Sequence, residues 1–342
     1  MKIQQFSQLG KRGNNEDSLG HSSGLVTVCD GIGGHVSGER ASAFVVDAMI
    51  KAFNEPAAIG KMEIQQQLNQ VQADLNQLLD KEPELEKMGT TFTGVFRTPD
   101  VWYAAHIGDS RIYLFRPSEQ KLWHTWDHSL VGELMRTKEI TVEAGRFHPM
   151  SNRIEKAIIA QRDGNPANAS IVRIDQLKAG DVLLLCSDGV IESWGDLELV
   201  KLFSDANLSF EEKCKKLQQQ CNQHSKDNNT AIIVEVEEAD AFHYGENDEL
   251  DWTTFEEVEA DYNQYLKDNT PQETNPQETN TPPAPKDPIQ PNQPINPTKP
   301  TNPTNPNPPT KPKKIRRWLY LAAATLVVAA IALVFIYIKN KH

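Results

Sequence analysis

Apolar residues along the first 236 positions fall into two patterns. Short runs rich in Val, Ile, Leu and Phe at 25–29, 91–96, 101–106, 111–115, Val182–Cys186 and 231–236 predict strands. Apolar positions spaced three and four apart at 37–53, 61–79, 130–138 and 210–220 predict helices. Two connections, Thr98-Pro99-Asp100 and Gly108-Asp109-Ser110, are too short to hold a crossover helix. The strands they join are therefore expected to pair antiparallel, as hairpins. This reading predicts an α+β domain over residues 1–240 and excludes a doubly wound parallel sheet.

Beyond that domain the pattern changes three times. Residues 241–270 form an acidic segment that interleaves Phe242, Tyr244, Trp252 and Phe255 among its carboxylates. A solvated linker has no use for those rings, so packing on the core and docking to a basic partner are both open. Residues 271–312 hold fifteen of the 21 prolines, recurring at every third position from Pro282 to Pro312. That period suits polyproline II, an extended spacer on the order of 90 Å long with a second use as a ligand for a proline-reading module. After a basic stretch at 313–317, residues 318–338 run WLYLAAATLVVAAIALVFIYI without a charge. As a helix this is roughly 30 Å, a bilayer's hydrocarbon thickness, with Trp318, Tyr320 and Tyr337 at the interfaces. Lys311, Lys313, Lys314, Arg316 and Arg317 precede the span, against Lys339 and Lys341 after it. The expectation is a single-pass, tail-anchored membrane protein whose large N-terminal part stays in the cytoplasm.

Composition narrows the possibilities. The net charge of −12 argues against nucleic acid as a partner, since such a surface should be basic. The charge is uneven: about −11 sits on residues 237–261 and about +6 on 262–342, leaving about −7 on the first 236. Four cysteines, Cys29, Cys186, Cys214 and Cys221, form no CxxC pair and suit buried packing in a reduced compartment. The N-terminal sequence has no apolar h-region of a secretory signal.

The chemistry lies where strands end. Leu-Val-Thr-Val-Cys runs into Asp30-Gly31-Ile32-Gly33-Gly34-His35, and Val-Leu-Leu-Leu-Cys-Ser runs into Asp188-Gly189. In each, a strand apolar enough for burial on both faces delivers a carboxylate, then a glycine that lets the backbone turn. Asp109 follows Gly108, Asp227 precedes the last strand, and Arg12, Glu16 and Asp17 lie near the start. A lone Asp-Gly is an ordinary turn. Several strand-end acids would repel one another if they converged, unless divalent cations neutralised them. Oxygen ligands without His–His or Cys pairing select Mg²⁺ or Mn²⁺ over zinc.

RGNNED (12–17), CDGIGGH (29–35), GTT (89–91), GDSR (108–111), DHS (127–129), SDG (187–189) and DNNT (227–230) together resemble the type 2C metal-dependent Ser/Thr protein phosphatases, in their bacterial form. The resemblance implies a four-layer α-β-β-α sandwich of two antiparallel sheets flanked by helices. It implies that Asp30 bridges two catalytic metals, with the Gly31 carbonyl on one and Asp188 and Asp227 on the other. Glu16 would hold metal-bound water, Asp17 would support the site, and Asp109 with Asp188 would take a third, weaker ion. Arg12 would bind the substrate phosphate with two parallel hydrogen bonds. His35 is the candidate general acid, with a structural loop role as its rival. The implied cofactors are two or three Mn²⁺ or Mg²⁺ ions, and the implied partners are phosphorylated proteins, a protein kinase or its substrates. A monomer is expected. The alternative is a catalytically silent pseudophosphatase, a tethered phosphoprotein-binding module. The chain departs from the bacterial pattern near Ile140-Thr141, which follows Lys138-Glu139 rather than a glycine, and at Ile158-Ile159-Ala160-Gln161. The resemblance implies a flexible flap between 127–129 and the second half of the domain, and these departures bear on its geometry and on substrate choice.

Overall fold

In strand Val182–Cys186 every position is buried because each face of the strand meets a different core. Leu184 and Cys186 pack with helix residues such as Leu199, Phe203 and Leu217. Leu183 and Leu185 pack with Ile112, Leu114, Val26 and Val95 between two sheets. The same period-two division sends Tyr113 and Phe115 one way and Ile112 and Leu114 the other. In the second sheet Val26 and Val28 face the sheet–sheet core, while Leu25 and Cys29 face a helix-covered one. The expected four-layer α-β-β-α sandwich follows.

The computed structural model describes residues 1–33, 37–162, 165–245 and 249–270. One sheet runs in the order Lys2–Gln8, Asn229–Glu235, Val182–Cys186, Arg111–Arg116, Lys121–His124, Thr253–Thr254. The other runs Ser170–Ile174, Trp102–Ile107, Phe92–Arg97, Leu25–Ile32, Gly89–Thr90, Ile158–Ile159, with Asp17–His21 also paired to Leu25–Ile32. Every pairing is antiparallel. Helices Gly38–Ala52 and Lys61–Gln77 cover the second sheet, and Asp196–Ser204 and Phe210–His224 cover the first. All four cysteines are buried and free, as packing residues should be.

One connection corrects the sequence reading. Phe92–Arg97 and Trp102–Ile107 form the expected hairpin. Trp102–Ile107 and Arg111–Arg116 do not, because they belong to different sheets. Residues 108–110 are a corner that carries the chain between sheets. Gly108 makes it with φ +105, and an added Cβ would stand 2.7 Å from Thr91 Cγ2. Asp109 is thereby placed between the ends of the two sheets.

The acidic segment packs on the core. Phe242–His243 pairs with Gln176–Leu177 and Thr253–Thr254 extends the first sheet, so the boundary expected at 240 is crossed by strand pairing. Leu250 and Val258 are buried, and Phe242 lies 6.1 Å from the Trp102 ring. Acids in it and just before it meet cations of the domain: Glu249 takes Lys61, and Glu237 and Asp240 take the Met1 ammonium. Helix Phe255–Asn269 ends the described chain. Two compact units divide the sequence, Met1–Thr274 and Asn275–His342, and the second lies outside the described residues. Among the described residues no helix is long and apolar enough to cross a membrane. The expected linker at 271–312, basic stretch at 313–317 and span at 318–338 all lie outside them.

At the end of the sandwich remote from the acids, Arg116 is fully buried against Asp181, itself 1% exposed. Its guanidinium donates to both Asp181 oxygens and to the Gln176 carbonyl, and the Trp252 ring lies 4.6 Å above it. Asp181→Ala strands that cation, and is expected to cost about 3–5 kcal/mol. Urea unfolding of the variant checks this, and an unchanged midpoint would refute it.

Candidate active site

Strand register brings the predicted acids to one end of the sandwich. Asp17 stands directly across from Asp30, and Cys186, just before Ser187-Asp188, pairs with both Arg111 and Ala231. Asp109 precedes Arg111 and Asp227 precedes Ala231, so both fall at the same end. Asp30, Asp109, Asp188 and Asp227, with Arg12, Glu16 and Gly31, line a cleft of about 450 Å³.

The backbone around Asp30 is held from both sides. Its N–H donates to Thr91 Oγ1 at 2.9 Å, and its carbonyl accepts from Thr91 N and Thr90 Oγ1, each at 2.8 Å. Gly31 N donates to the Glu16 carbonyl at 3.0 Å. A Cβ on Gly31 would lie 2.4 Å from Gly38 and 2.5 Å from that carbonyl, so only glycine fits where helix Gly38–Ala52 abuts the strand. Asp188 follows its strand as the first residue of helix Asp188–Ser193. Ser187 donates from Oγ to Asp17 Oδ2 at 2.7 Å and accepts from Thr230 N at 3.0 Å, tying three acid-bearing segments together.

The convergence has an electrostatic consequence. Burial, then repulsion from Asp188, Asp17, Asp109 and Asp227, pushes the Asp30 carboxyl well above its usual range. Burial and Asp188 do the same to Asp109. Asp188 rises to about 7, from burial and then the charges of Asp227 and Asp17. Asp17 rises to about 6, from burial with Ser187 opposing, and burial also raises Glu16. Asp17 Oδ1 and Asp188 Oδ1 are buried with no donor facing them. A buried carboxylate oxygen without a donor is costly, and a cation is what it lacks.

The donor set is all oxygen and fits Mn²⁺ or Mg²⁺. Among the described residues no three His, Cys, Asp or Glu side chains close around one point as a ready-made ligand set.

Arg12 and Asp227 are paired with each other. The Arg12 Nε–H donates to Asp227 Oδ1 at 2.7 Å and Nη2 to Oδ2, and this pairing raises the guanidinium pKa. The roles expected of them, phosphate binding and metal ligation, both require this pair to open. His35 lies outside the described residues. His128, behind Gly108, is held neutral, pushed down to about 3 chiefly by burial, and packs flat on His106.

Several residues that build the site were not singled out from the sequence. Asn228 accepts the Glu16 amide at 2.9 Å and donates to the Leu9 and Asn14 carbonyls, also at 2.9 Å. Arg111 forks onto Asp127 at 2.6 and 2.8 Å. Thr91 and Ser110 share a hydroxyl contact of 2.7 Å. Each lies inside one of the short motifs, which is the signal that could have found it.

The protein phosphatase 2C family model matches residues 7–231. The serine/threonine protein phosphatase PstP of Mycobacterium tuberculosis is 29% identical over 230 residues, 67% of this chain and 43% of PstP. This chain thus matches under half the length of that relative. The serine/threonine phosphatase stp of Listeria innocua is 30% identical over 239 residues, covering 66% of this chain and 91% of that protein. Among solved structures, Stp1 of Staphylococcus aureus aligns with a TM-score of 0.59 at 29% identity, covering 69% of this chain and 95% of that one. The catalytic domain of PstP, solved with two manganese ions, aligns at 0.58 and 28% identity, covering 69% and 98%.

Proposed function

The chain belongs to the protein phosphatase 2C family, and on that premise we propose that it hydrolyses phosphoserine and phosphothreonine in proteins. The observation that carries the reading is the convergence of Asp30, Asp109, Asp188 and Asp227 in one cleft, with Asp17 across the strand pair from Asp30 and two buried carboxylate oxygens, on Asp17 and Asp188, that no donor faces. Asp30, the Gly31 carbonyl, Asp188 and Asp227 would hold two Mn²⁺ or Mg²⁺ ions, with Asp109 available to a third. When bound, these ions supply Lewis acidity, activating water for attack at phosphorus and neutralising the phosphoryl oxygens. The chain's own residues do the rest. Asp17, fixed by Ser187, stands across the strand pair from Asp30, whose backbone Thr90 and Thr91 hold in place. Glu16, anchored through its amide to Asn228, orients water at the cleft wall. Arg12, 61% exposed at the rim, leaves Asp227 to grip the substrate phosphate. His35 is the candidate donor of a proton to the leaving serine or threonine oxygen.

The wider reading has the segment 318–338 anchor the catalytic unit at a membrane's cytoplasmic face, where it would oppose a Ser/Thr kinase. Support for this comes from the sequence: 21 uncharged residues flanked by cations. The catalytically silent alternative has no observation in its favour.

Phosphothreonine, phosphoserine and phosphotyrosine peptides compared on the full chain with Mn²⁺ test the substrate class. Turnover confined to phosphotyrosine would overturn it. In the same assay Arg12→Ala is expected to raise KM for phosphothreonine peptide by about tenfold or more, with a smaller rise for Arg12→Lys, which keeps the charge but loses the fork. An unchanged KM in Arg12→Ala would remove this residue from phosphate binding.

A further inference from the structure

The short helix Val142–Arg146 is fastened on two sides. On one, Arg146 donates from Nε to the Ile191 carbonyl at 2.8 Å and from Nη2 to that of Glu192 at 3.1 Å. Those carbonyls belong to the helix that begins with Asp188. On the other side stands helix Phe255–Asn269. Its Asp261 accepts the Val142 N–H at 2.9 Å through Oδ2, and its Tyr265 stacks on Phe147 with ring centroids 6.2 Å apart.

Phe147 is 60% exposed and lines a groove of about 570 Å³ that shares Arg12, Asp109, Asp188 and Asp227 with the carboxylate cleft. A polypeptide that delivers a phosphorylated side chain to the acids would run along this groove. A cavity of about 580 Å³ lies beside this wall, lined by Leu122, Trp126, Met135, Ile140, Val142 and Val258. Before the wall, Lys138 turns the chain at φ +59, a strained position for a side chain-bearing residue. The family match stops at residue 231, so helix Phe255–Asn269 is outside the matched region.

We propose that helix Phe255–Asn269 is a brace that sets residues 142–147 against the substrate groove, with Asp261 as a positioning residue for phosphoprotein binding. The affinity half of this rests on the phosphatase reading, whereas the brace itself does not. Without the Asp261 carboxylate, the Val142 amide loses its acceptor above a cavity, and the wall that carries Phe147 loosens. A small aryl phosphate reaches the acids without touching Phe147, so only extended substrates should register the change.

The test uses the full chain with Mn²⁺ and four forms: wild type, Asp261→Ala, Asp261→Asn and Tyr265→Ala. Asp261→Ala is expected to speed hydrogen exchange at 142–147 about tenfold, the worth of one hydrogen bond to a charged group. It should raise KM for a phosphothreonine peptide by about three- to tenfold with kcat little changed. Hydrolysis of p-nitrophenyl phosphate should stay within about twofold of wild type. Asp261→Asn keeps an acceptor oxygen and should recover most of both effects. Tyr265→Ala removes the ring contact near the surface and should shift both in the same direction. Unchanged exchange in Asp261→Ala overturns the brace. Loss of peptide and aryl phosphate turnover in equal measure overturns its link to substrate binding. A wild type inert toward every phosphoester sinks the phosphatase reading and the affinity half with it, while the exchange comparison still decides the brace.

Discussion

Asp30→Asn is expected to cut phosphate release by about 10³-fold or more, the loss of several kcal/mol of charge stabilisation at phosphorus. The fold should survive. The Asp30 backbone is fixed by Thr90 and Thr91 whatever its side chain carries. Burial and the charges of Asp188, Asp17, Asp109 and Asp227 already push this carboxyl toward its neutral form, so a neutral amide in its place adds no repulsion. The variant should therefore melt no lower than wild type when both are free of metal, and Mn²⁺ should stabilise it less. Asp188→Asn should behave alike, since burial and then the charges of Asp227 and Asp17 raise its carboxyl too. Circular dichroism with peptide turnover separates the two effects. A variant that is folded, metal-responsive and fully active would remove Asp30 from the chemistry.

The second large effect is the stability of the chelated protein as a function of pH. Asp17 and Asp188 rise from 3.8 to about 6 and about 7, with burial the first cause in both. Between pH 4 and 7 the folded chain then holds protons that the unfolded chain has released. Stability from these groups is fully present below about pH 4 and falls as pH rises through the folded values. From pH 5 to pH 8 the EDTA-treated protein should lose a few kcal/mol from this source, about 5–10 °C in Tm for a domain of this size. Metal binding runs the other way, because it needs the carboxylates ionised. The gain in Tm on adding Mn²⁺ should accordingly grow from pH 5 to pH 8. A gain that shrinks with rising pH would show that the cluster does not receive the ion.

Much of the fold was legible because central strands carry their own signature. Runs such as Val-Leu-Leu-Leu-Cys are apolar at successive positions since both faces are buried, and the structure divides them between two cores. Edge elements lack that signature. Lys2–Gln8 was missed because it buries only Phe6, and its pairing comes from backbone hydrogen bonds to Asn229–Glu235. The corner at 108–110 looks like a hairpin in the sequence, because a tight turn has the same signature whether the chain stays in one sheet or changes sheets. Only the pairing partners of Arg111–Arg116 decide it.

For the site, the acids themselves were found where strand ends put them. What holds them was not, since hydroxyls and amides such as Ser187, Thr91 and Asn228 are common everywhere and gain meaning only through contacts. The pairing of Arg12 with Asp227 was also invisible, because 214 residues separate them within the chain. Helix Phe255–Asn269 was hidden by its charge. Its acidic residues mask the helical period, although Val258, Asp261 and Tyr265 sit close enough on one side to meet the domain.

The most direct test of the central claim is phosphate release from a phosphothreonine peptide by the full chain, first chelated with EDTA and then titrated with Mn²⁺. The account predicts no release in EDTA and recovery in step with metal bound. Release that persists in EDTA, or none from a folded and metal-loaded protein, would contradict it.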